Sequence, residues 1–148
     1  MAAPKKILIL NGPNLNMLGL REPEIYGHQT LKDIETLCRK TGTRLHMKID
    51  FRQSNHEGEL VTWIQKARGK IDGLVINAAA YTHTSIALHD ALKLLSVPIV
   101  EVHLSNPRAR ESFRHHSYIE PVAAICFAGL GAEGYVKSLE FLDKFKTT

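Results

Sequence analysis

The chain of 148 residues lacks the features of an exported, membrane-spanning or metal-cluster protein. It has two cysteines, Cys38 and Cys126, which lie far apart and match no metal or redox spacing, so we expect two free, buried thiols. No apolar run approaches the length of a membrane span. No apolar segment precedes a small-residue cleavage site near the start, which predicts a cytoplasmic protein.

Motifs of several common activities are also missing. The net charge is +4, but the basic residues are scattered and no aromatic-rich strand accompanies them, so nucleic acid is not an expected partner. There is no P-loop, no H-E-x-x-H and no nucleophile elbow, and His115-His116 lacks a third ligand, so no metal is expected. Residues 129–134 match G-x-G-x-x-G without room for a following strand, so these glycines indicate close packing or a subunit contact rather than dinucleotide binding.

What is present is the pattern of an ordinary globular α/β protein. The hydrophobic fraction is 44%, and the length suits a single domain over residues 1–148. Strand-like apolar segments at residues 5–10, 44–51, 72–77, 97–104 and 122–128 alternate with segments of helical period. This predicts a flavodoxin-like, doubly wound five-stranded parallel sheet in the order 2-1-3-4-5, with strands one, three and four as neighbours.

The segments between the strands carry further local signals. Thr30 begins a capping box, and the helix after it is expected to end at Gly42. His46 is expected on the polar face of the second strand. Residues 16–28 have neither period and are predicted to form a long loop carrying Arg21 and Tyr26. From its length alone, this segment is more simply a surface loop with a solvated arginine. Long loops in compact domains also serve as lids over a site, which is the other interpretation.

Residues 99–117, IVEVHLSNPRARESFRHHS, carry most of the reactive side chains. Glu101 and His103 are two apart in a predicted strand, so a carboxylate neighbours an imidazole on one face. Asn106 suits the cap of a short helix whose first amides can hold an anion. Arg110 and Arg114 are expected on one face of that helix. The pattern indicates a site for a small carboxylated molecule, with a histidine placed to move a proton.

Other strand ends converge on the same place. Asn14 follows the first strand, Asn77 ends the third, and His83 lies at the start of the next helix, whose inward positions are predicted to include Ile86. A histidine there is by itself more simply a local hydrogen-bonding residue. Its convergence with Asn77 and His103 at neighbouring strand ends favours a single site.

Three segments in order resemble the type II 3-dehydroquinate dehydratase family: ILNGPNLNMLGLREPEIYG at 9–27, INAAAYTHTSIALHDAL at 76–92 and EVHLSNPRARESFRHHSY at 101–118. The resemblance runs essentially end to end and departs at Ala78, where many relatives have proline. It implies a hydro-lyase of the shikimate and quinate pathways. The implied reaction is reversible anti elimination of water from 3-dehydroquinate through an enolate, without cofactor, metal or Schiff base. It also implies a homododecamer built as a tetramer of trimers.

The resemblance also implies roles for individual catalytic residues. Tyr26 would be the base, with Arg21 lowering the pKa of a phenol that is otherwise about 10. Asn14 would stabilise the enolate oxygen. His103 would protonate the departing hydroxyl, and Glu101 would orient its ring.

Substrate-binding roles follow from the same resemblance. The substrate carboxylate is assigned to Asn77 and the backbone amides of Leu104 and Ser105, and the ring hydroxyls to His83 and Arg114. Asp90 would reach a neighbouring subunit's site, and Arg110 would support the site. The alternative is a flavodoxin-like module that binds small anions without catalysis. A receiver-type module would carry clustered acids at the end of the first strand, where this chain has Asn11 and Asn14. A flavin-binding module would carry a hydroxyl-rich phosphate loop there, for which Pro13 is poorly suited.

Overall fold

The computed structural model describes residues 2–20, 22–26 and 28–146, with only the backbone of Tyr26, and within them five parallel strands form one sheet. The strands are β1 (Lys5–Asn11), β2 (Met47–Gln53), β3 (Gly73–Asn77), β4 (Ile99–His103) and β5 (Ile125–Ala128). Their order is β2-β1-β3-β4-β5, which confirms the predicted topology. The carboxyl ends of β1, β3 and β4 therefore meet at one edge.

Five α-helices connect or flank these strands in the described residues: α1 (Pro23–Tyr26), α2 (Leu31–Arg44), α3 (Glu57–Ala67), α4 (Ile86–Leu92) and α5 (Glu133–Lys144). Short 3-10 helices cover Leu15–Met17, Ala79–His83, Pro107–Ala109, Ser112–Arg114 and Glu120–Val122. None of the described helices combines the length and apolar character that crossing a membrane requires.

The sheet separates two hydrophobic cores because successive strand residues point to opposite faces. In β1, Ile7 and Ile9 join the core beneath α2 and α5, whereas Leu8 and Leu10 join the core beneath α3 and α4. Full burial of each such side chain contributes about 1.5–3 kcal/mol. The central strands are thus covered on both sides, and the edge formed by their carboxyl ends is left to the loops.

The α2–β2 connection shows where local signals were sufficient and where they failed. The capping box is confirmed, since Thr30 Oγ1 accepts from the Asp33 amide at 3.1 Å and Asp33 Oδ2 accepts from the Thr30 amide at 3.0 Å. Gly42 does not end the helix; a Cβ there would lie 2.5 Å from Ile49 Cγ1, so the glycine lets α2 approach β2. His46 lies in the turn before β2 with φ of 57°, not on the strand.

The segment predicted as one loop over residues 16–28 contains regular structure. It includes α1 and most of the 3-10 helix Leu15–Met17, and Pro23 suits the first position of α1 because its fixed φ is helical. Arg21 and the Tyr26 side chain lie outside the described part of the chain. In α4, Ile86 is 56% exposed rather than inward, and Ala91 takes the buried position.

Of the two roles predicted for the glycines of residues 129–134, close packing is seen at Gly134 in α5, whereas Gly131 has open space around it. A Cβ on Gly134 would lie 3.0 Å from Val102 Cγ2, so the glycine lets α5 lie close to β4. The two cysteines differ. Cys38 is buried as expected, but Cys126 is exposed because it lies on β5, the edge strand of the sheet.

Candidate active site

A cavity of about 150 Å³ lies at the carboxyl ends of β1, β3 and β4. Its lining includes eight of the residues predicted from sequence: Asn14, Asn77, His83, His103, Leu104, Ser105, Arg110 and Arg114. A larger cavity of about 480 Å³ lies beside β2 and contains none of the predicted residues. We therefore place the candidate site at the smaller cavity, because the polar groups of several strands converge there.

Glu101 and His103 form a buried pair on one face of β4, as the period of two predicted. His103 Nε2 donates to Glu101 Oε2 at 2.6 Å, and Ser117 Oγ donates to the same oxygen at 2.8 Å. With Nε2 committed to the carboxylate, Nδ1 is the ring nitrogen left for a ligand. The pair can therefore hold a proton on a fixed imidazole.

The charge state of Glu101 depends on opposing effects. Burial alone raises the pKa of this carboxyl, but the hydrogen bond and charge of His103, with smaller contributions from Ser117 and Cys126, bring its pKa below the ordinary value. Ser117 Oγ is itself fixed by the amides of Ile119 and Glu120, at 3.1 and 3.0 Å. Glu101 is thus held as a carboxylate beside the imidazole.

Asn77 is positioned by a buried hydrogen-bond network. Its Nδ2 donates to Tyr135 Oη at 3.0 Å, and Tyr135 Oη donates to Asn11 Oδ1 at 2.7 Å. Asn77 Oδ1 accepts from the Ala79 amide at 3.2 Å. Because an amide nitrogen carries two hydrogens, Asn77 retains one donor for the cavity that it lines.

His83 presents an acceptor to the cavity. Its Nδ1 donates to the carbonyl oxygen of His116 at 2.8 Å, so Nε2 is the free acceptor of the neutral ring. Burial is the main cause that lowers the pKa of His83, and the nearby His103 and Arg114 act in the same direction. The ring is therefore suited to accept a hydrogen bond from a ligand hydroxyl.

The two cavity arginines do not share one helix face, contrary to the sequence expectation. Arg110 is extended, with φ of −113° and ψ of −162°, and separates the 3-10 helix Pro107–Ala109 from Ser112–Arg114. Both side chains still line the cavity. Arg110 Nη1 donates to Ser105 Oγ at 3.4 Å, whereas Arg114 Nε donates to Glu111 at 3.2 Å. The predicted cap is confirmed, since Asn106 Oδ1 accepts from the Arg108 amide at 3.1 Å.

The turn after β1 brings Asn14 to the cavity. Asn14 has φ of 69°, and its backbone amide donates to Asn55 Oδ1 at 3.0 Å. Its side chain makes no capping bond, so the side-chain amide is available to a ligand. The turn lies against β3, where the Gly12 amide donates to the Asn77 carbonyl at 2.8 Å. A Cβ on Gly12 would lie 2.4 Å from the carbonyl oxygen of Ala78, so only glycine fits this approach.

Four predicted residues are not placed in this cavity, and one of them, Glu101, lies behind His103 and lines a smaller neighbouring cavity. Asp90 is exposed on α4 and is not part of the lining. Arg21 and the side chain of Tyr26 lie outside the described residues. Conversely, sequence reasoning missed Tyr135 and Ser117. Tyr135 shares the apolar stripe of α5, and a buried phenol there requires a hydrogen-bond partner, which is the only signal that could have indicated it.

Comparison with known proteins gives a consistent match. The family model described as dehydroquinase class II matches residues 5–143. A protein of Ralstonia nicotianae named 3-dehydroquinate dehydratase 2 is 57% identical over 141 residues, covering 92% of each chain. A 3-dehydroquinate dehydratase of Variovorax paradoxus is also 57% identical, covering 93% of this chain and 98% of its own. The crystal structure of type II dehydroquinase from Propionibacterium acnes superposes with a TM-score of 0.93 at 42% identity, covering 98% of this chain and all of that one.

Proposed function

Because this chain belongs to the class II dehydroquinase family, we propose that it catalyses the reversible loss of water from 3-dehydroquinate to give 3-dehydroshikimate. The observation that carries this proposal is the buried Glu101–His103 pair opening onto a cavity lined by amides and arginines. A base removes the proton next to the ketone, an enolate forms, and the hydroxyl leaves as water after protonation. Each step uses a side chain of this protein.

The base is Tyr26. A free phenol has a pKa of about 10 and is ionised in about one molecule in a thousand at neutral pH. A neighbouring cation lowers such a pKa by about 1–3 units, and Arg21 lies five residues earlier in the chain. The backbone of Tyr26 ends α1, on the segment that leaves the carboxyl end of β1, which supports its place above the cavity.

The acid is His103. Its ring is fixed through Nε2 by Glu101, so Nδ1 delivers the proton to the departing hydroxyl. A positioned general acid contributes typically about 10²–10⁴-fold to the rate. Asn14 stabilises the enolate oxygen with its free amide donor, because that is where negative charge develops.

The remaining cavity residues hold the substrate. The carboxylate binds the free donor of Asn77 and the backbone amides of Leu104 and Ser105, at the exit of β4. His83 accepts from one ring hydroxyl and Arg114 binds another. Arg110 supports this arrangement through its hydrogen bond to Ser105 Oγ.

The proposal includes a homododecamer, built as a tetramer of trimers, in which Asp90 completes a neighbouring subunit's site. Ile86 and Asp90 lie one turn apart on the exposed side of α4, and Ile86 is 56% exposed. Phe113, beside the cavity residue Arg114, is 65% exposed. These two exposed apolar side chains support a subunit contact, which would cover them. The family implies the shikimate pathway; a role in quinate breakdown, the single domain over residues 1–148 and the cytoplasmic location stay predictions.

The test is to mix the purified protein with 3-dehydroquinate and follow the ultraviolet absorbance of the conjugated product. Turnover should survive borohydride treatment in the presence of substrate, because no lysine imine forms. Tyr26→Phe and His103→Ala should each abolish most turnover, while Tyr81→Phe and His46→Ala, which alter the same residue types outside the cavity, should not. A near-normal rate in Tyr26→Phe or in His103→Ala would show that the substituted residue does not have its assigned role. A folded but silent wild type would favour the anion-binding module.

A further inference from the structure

A second, smaller cavity of about 60 Å³ adjoins the substrate cavity and shares His83, His103 and Arg114 with it. Its lining includes Glu101, His103, Cys126, His115 and Glu120. One nitrogen of His103, one carboxylate oxygen of Glu101 and Cys126 Sγ all lie within 4.8 Å of one another. Imidazole, carboxylate and thiolate are together the donor set that zinc prefers.

One carboxylate oxygen of this group has no hydrogen-bond partner among the described residues. Glu101 is 2% exposed, and its Oε2 takes the hydrogen bonds of both His103 and Ser117. Its other oxygen, Oε1, is buried without a hydrogen-bond partner among the described residues. Buried carboxylate oxygens in proteins are met by a hydrogen-bond donor or a cation.

We propose that Glu101, His103 and Cys126 form an inhibitory binding site for a zinc-class divalent cation. On binding, the Cys126 thiol releases its proton to solvent, and His103 carries its remaining proton on Nδ1. The lone pair of Nε2, the Cys126 thiolate and a Glu101 oxygen then coordinate the ion, and water fills the fourth position. The carboxylate and the thiolate together balance the two positive charges of the ion.

The geometry requires only side-chain adjustment. Zinc bonds of about 2.0–2.3 Å in a tetrahedral arrangement place ligand atoms about 3.3–3.6 Å apart. The present 2.6 Å between His103 Nε2 and Glu101 Oε2 must open, and the wider separations, up to 4.8 Å, must close. A water occupies about 30 Å³ in the liquid, so a cavity of about 60 Å³ admits the ion and its water.

The surrounding charges limit the affinity. Arg108 and Arg114 also line the cavity and repel a cation. Arg108 is paired with Glu120 at 3.3 Å, and Arg114 with Glu111 at 3.2 Å, which offsets part of this repulsion. The site therefore suits reversible binding that varies with metal supply rather than permanent occupancy.

The inhibitory effect rests on the proposed function, whereas the binding does not. An ion on Nε2 breaks the Glu101–His103 hydrogen bond that fixes the ring, and its charge disfavours the protonated imidazole that the acid role requires. Metal binding should therefore stop turnover.

The test titrates the protein with Co²⁺ and follows thiolate-to-cobalt charge-transfer absorption, then measures turnover of 3-dehydroquinate against Zn²⁺. The variant is Cys126→Ala, and Cys38→Ala is the matched control because it removes the other thiol, which lies on α2 and is buried in the core. We expect the charge-transfer band in the wild type and in Cys38→Ala, and its loss in Cys126→Ala. Zn²⁺ should inhibit the wild type reversibly, with EDTA restoring turnover, and Cys126→Ala should need roughly tenfold more Zn²⁺ or more.

The absence of the band in the wild type, or its persistence in Cys126→Ala, would overturn the site. Equal sensitivity of the wild type and Cys126→Ala to Zn²⁺ would overturn the inhibitory role. If the protein had no turnover, the cobalt band would still report the site, so failure of the proposed function and failure of this inference are distinguishable.

Discussion

Tyr135→Phe removes a single oxygen atom that two buried amides depend on. Tyr135 is fully buried, and its hydroxyl accepts from Asn77 and donates to Asn11, which is itself 0% exposed. Each buried polar group left unpaired costs about 1–3 kcal/mol. In the variant, Asn77 can bind water because it lines the cavity, so most of the cost falls on Asn11. We expect the free energy of unfolding to fall by about 2–4 kcal/mol in total.

Two assays measure this effect. For a chain of this size each kcal/mol lowers the melting temperature by about 2–4 °C, so thermal unfolding should shift by roughly 4–16 °C. Because the Asn77 amide loses its orientation toward the substrate carboxylate, KM for 3-dehydroquinate should rise about tenfold, since a hydrogen bond to a charged group contributes about 1.5–3 kcal/mol. The turnover number should change less.

Tyr81→Phe is the matched control. Its hydroxyl donates to the Asn55 carbonyl at 2.7 Å in a solvent-exposed position, so water replaces the lost bond. We expect less than about 1 kcal/mol of destabilisation and an unchanged KM. If Tyr135→Phe proved as stable as Tyr81→Phe, the buried hydroxyl would not hold the two amides as we argue.

Other substitutions test separate parts of the structure. The hydrogen bond from Ser117 helps to lower the pKa of Glu101, which burial raises. Ser117→Ala should therefore move the acid limb of the pH profile of kcat/KM to higher pH, and an unmoved limb would contradict this role of Ser117. Because the net shift is downward, the stability that Glu101 contributes is complete above its ordinary pKa of 4.5 and is lost as pH falls through the folded value, as urea unfolding against pH should show. Gly12→Ala, with its Cβ 2.4 Å from a backbone oxygen, should cost about 3 kcal/mol or more, whereas Gly58→Ala in α3, with open space around it, should be neutral or stabilising by up to about 1 kcal/mol in the same melts. Arg21→Ala should lower kcat more than it raises KM, because it acts on the ionised base; a binding defect with unchanged kcat would refute this.

The fold was predictable because its signals are local. The apolar runs of β1 and β3 and the capping box at Thr30 depend on adjacent residues, and the connection rules then give the strand order. The boundary errors at Gly42 and His46 have a different origin. The first depends on how closely α2 packs against Ile49, and the second on a left-handed backbone turn, neither of which the sequence pattern contains.

The same distinction applies to the site. His103, Asn77 and their neighbours were found because parallel strand ends converge on one edge. Arg110 and Arg114 were placed on one helix in error because an extended residue interrupts the segment. Tyr135 was missed because the amide it binds lies 58 positions earlier in the chain, beyond any local pattern.

That separation also bears on the order of events at the ribosome. The chain has been synthesised through Arg114 before the tyrosine of α5 is added, so every residue assigned to the substrate precedes that tyrosine in the chain. Asn77 Nδ2 nevertheless lacks its hydrogen bond until α5 docks and the Tyr135 phenol reaches both asparagines. The competence to hold the substrate carboxylate is thus gained only with the docking of a helix that itself lines no part of the cavity.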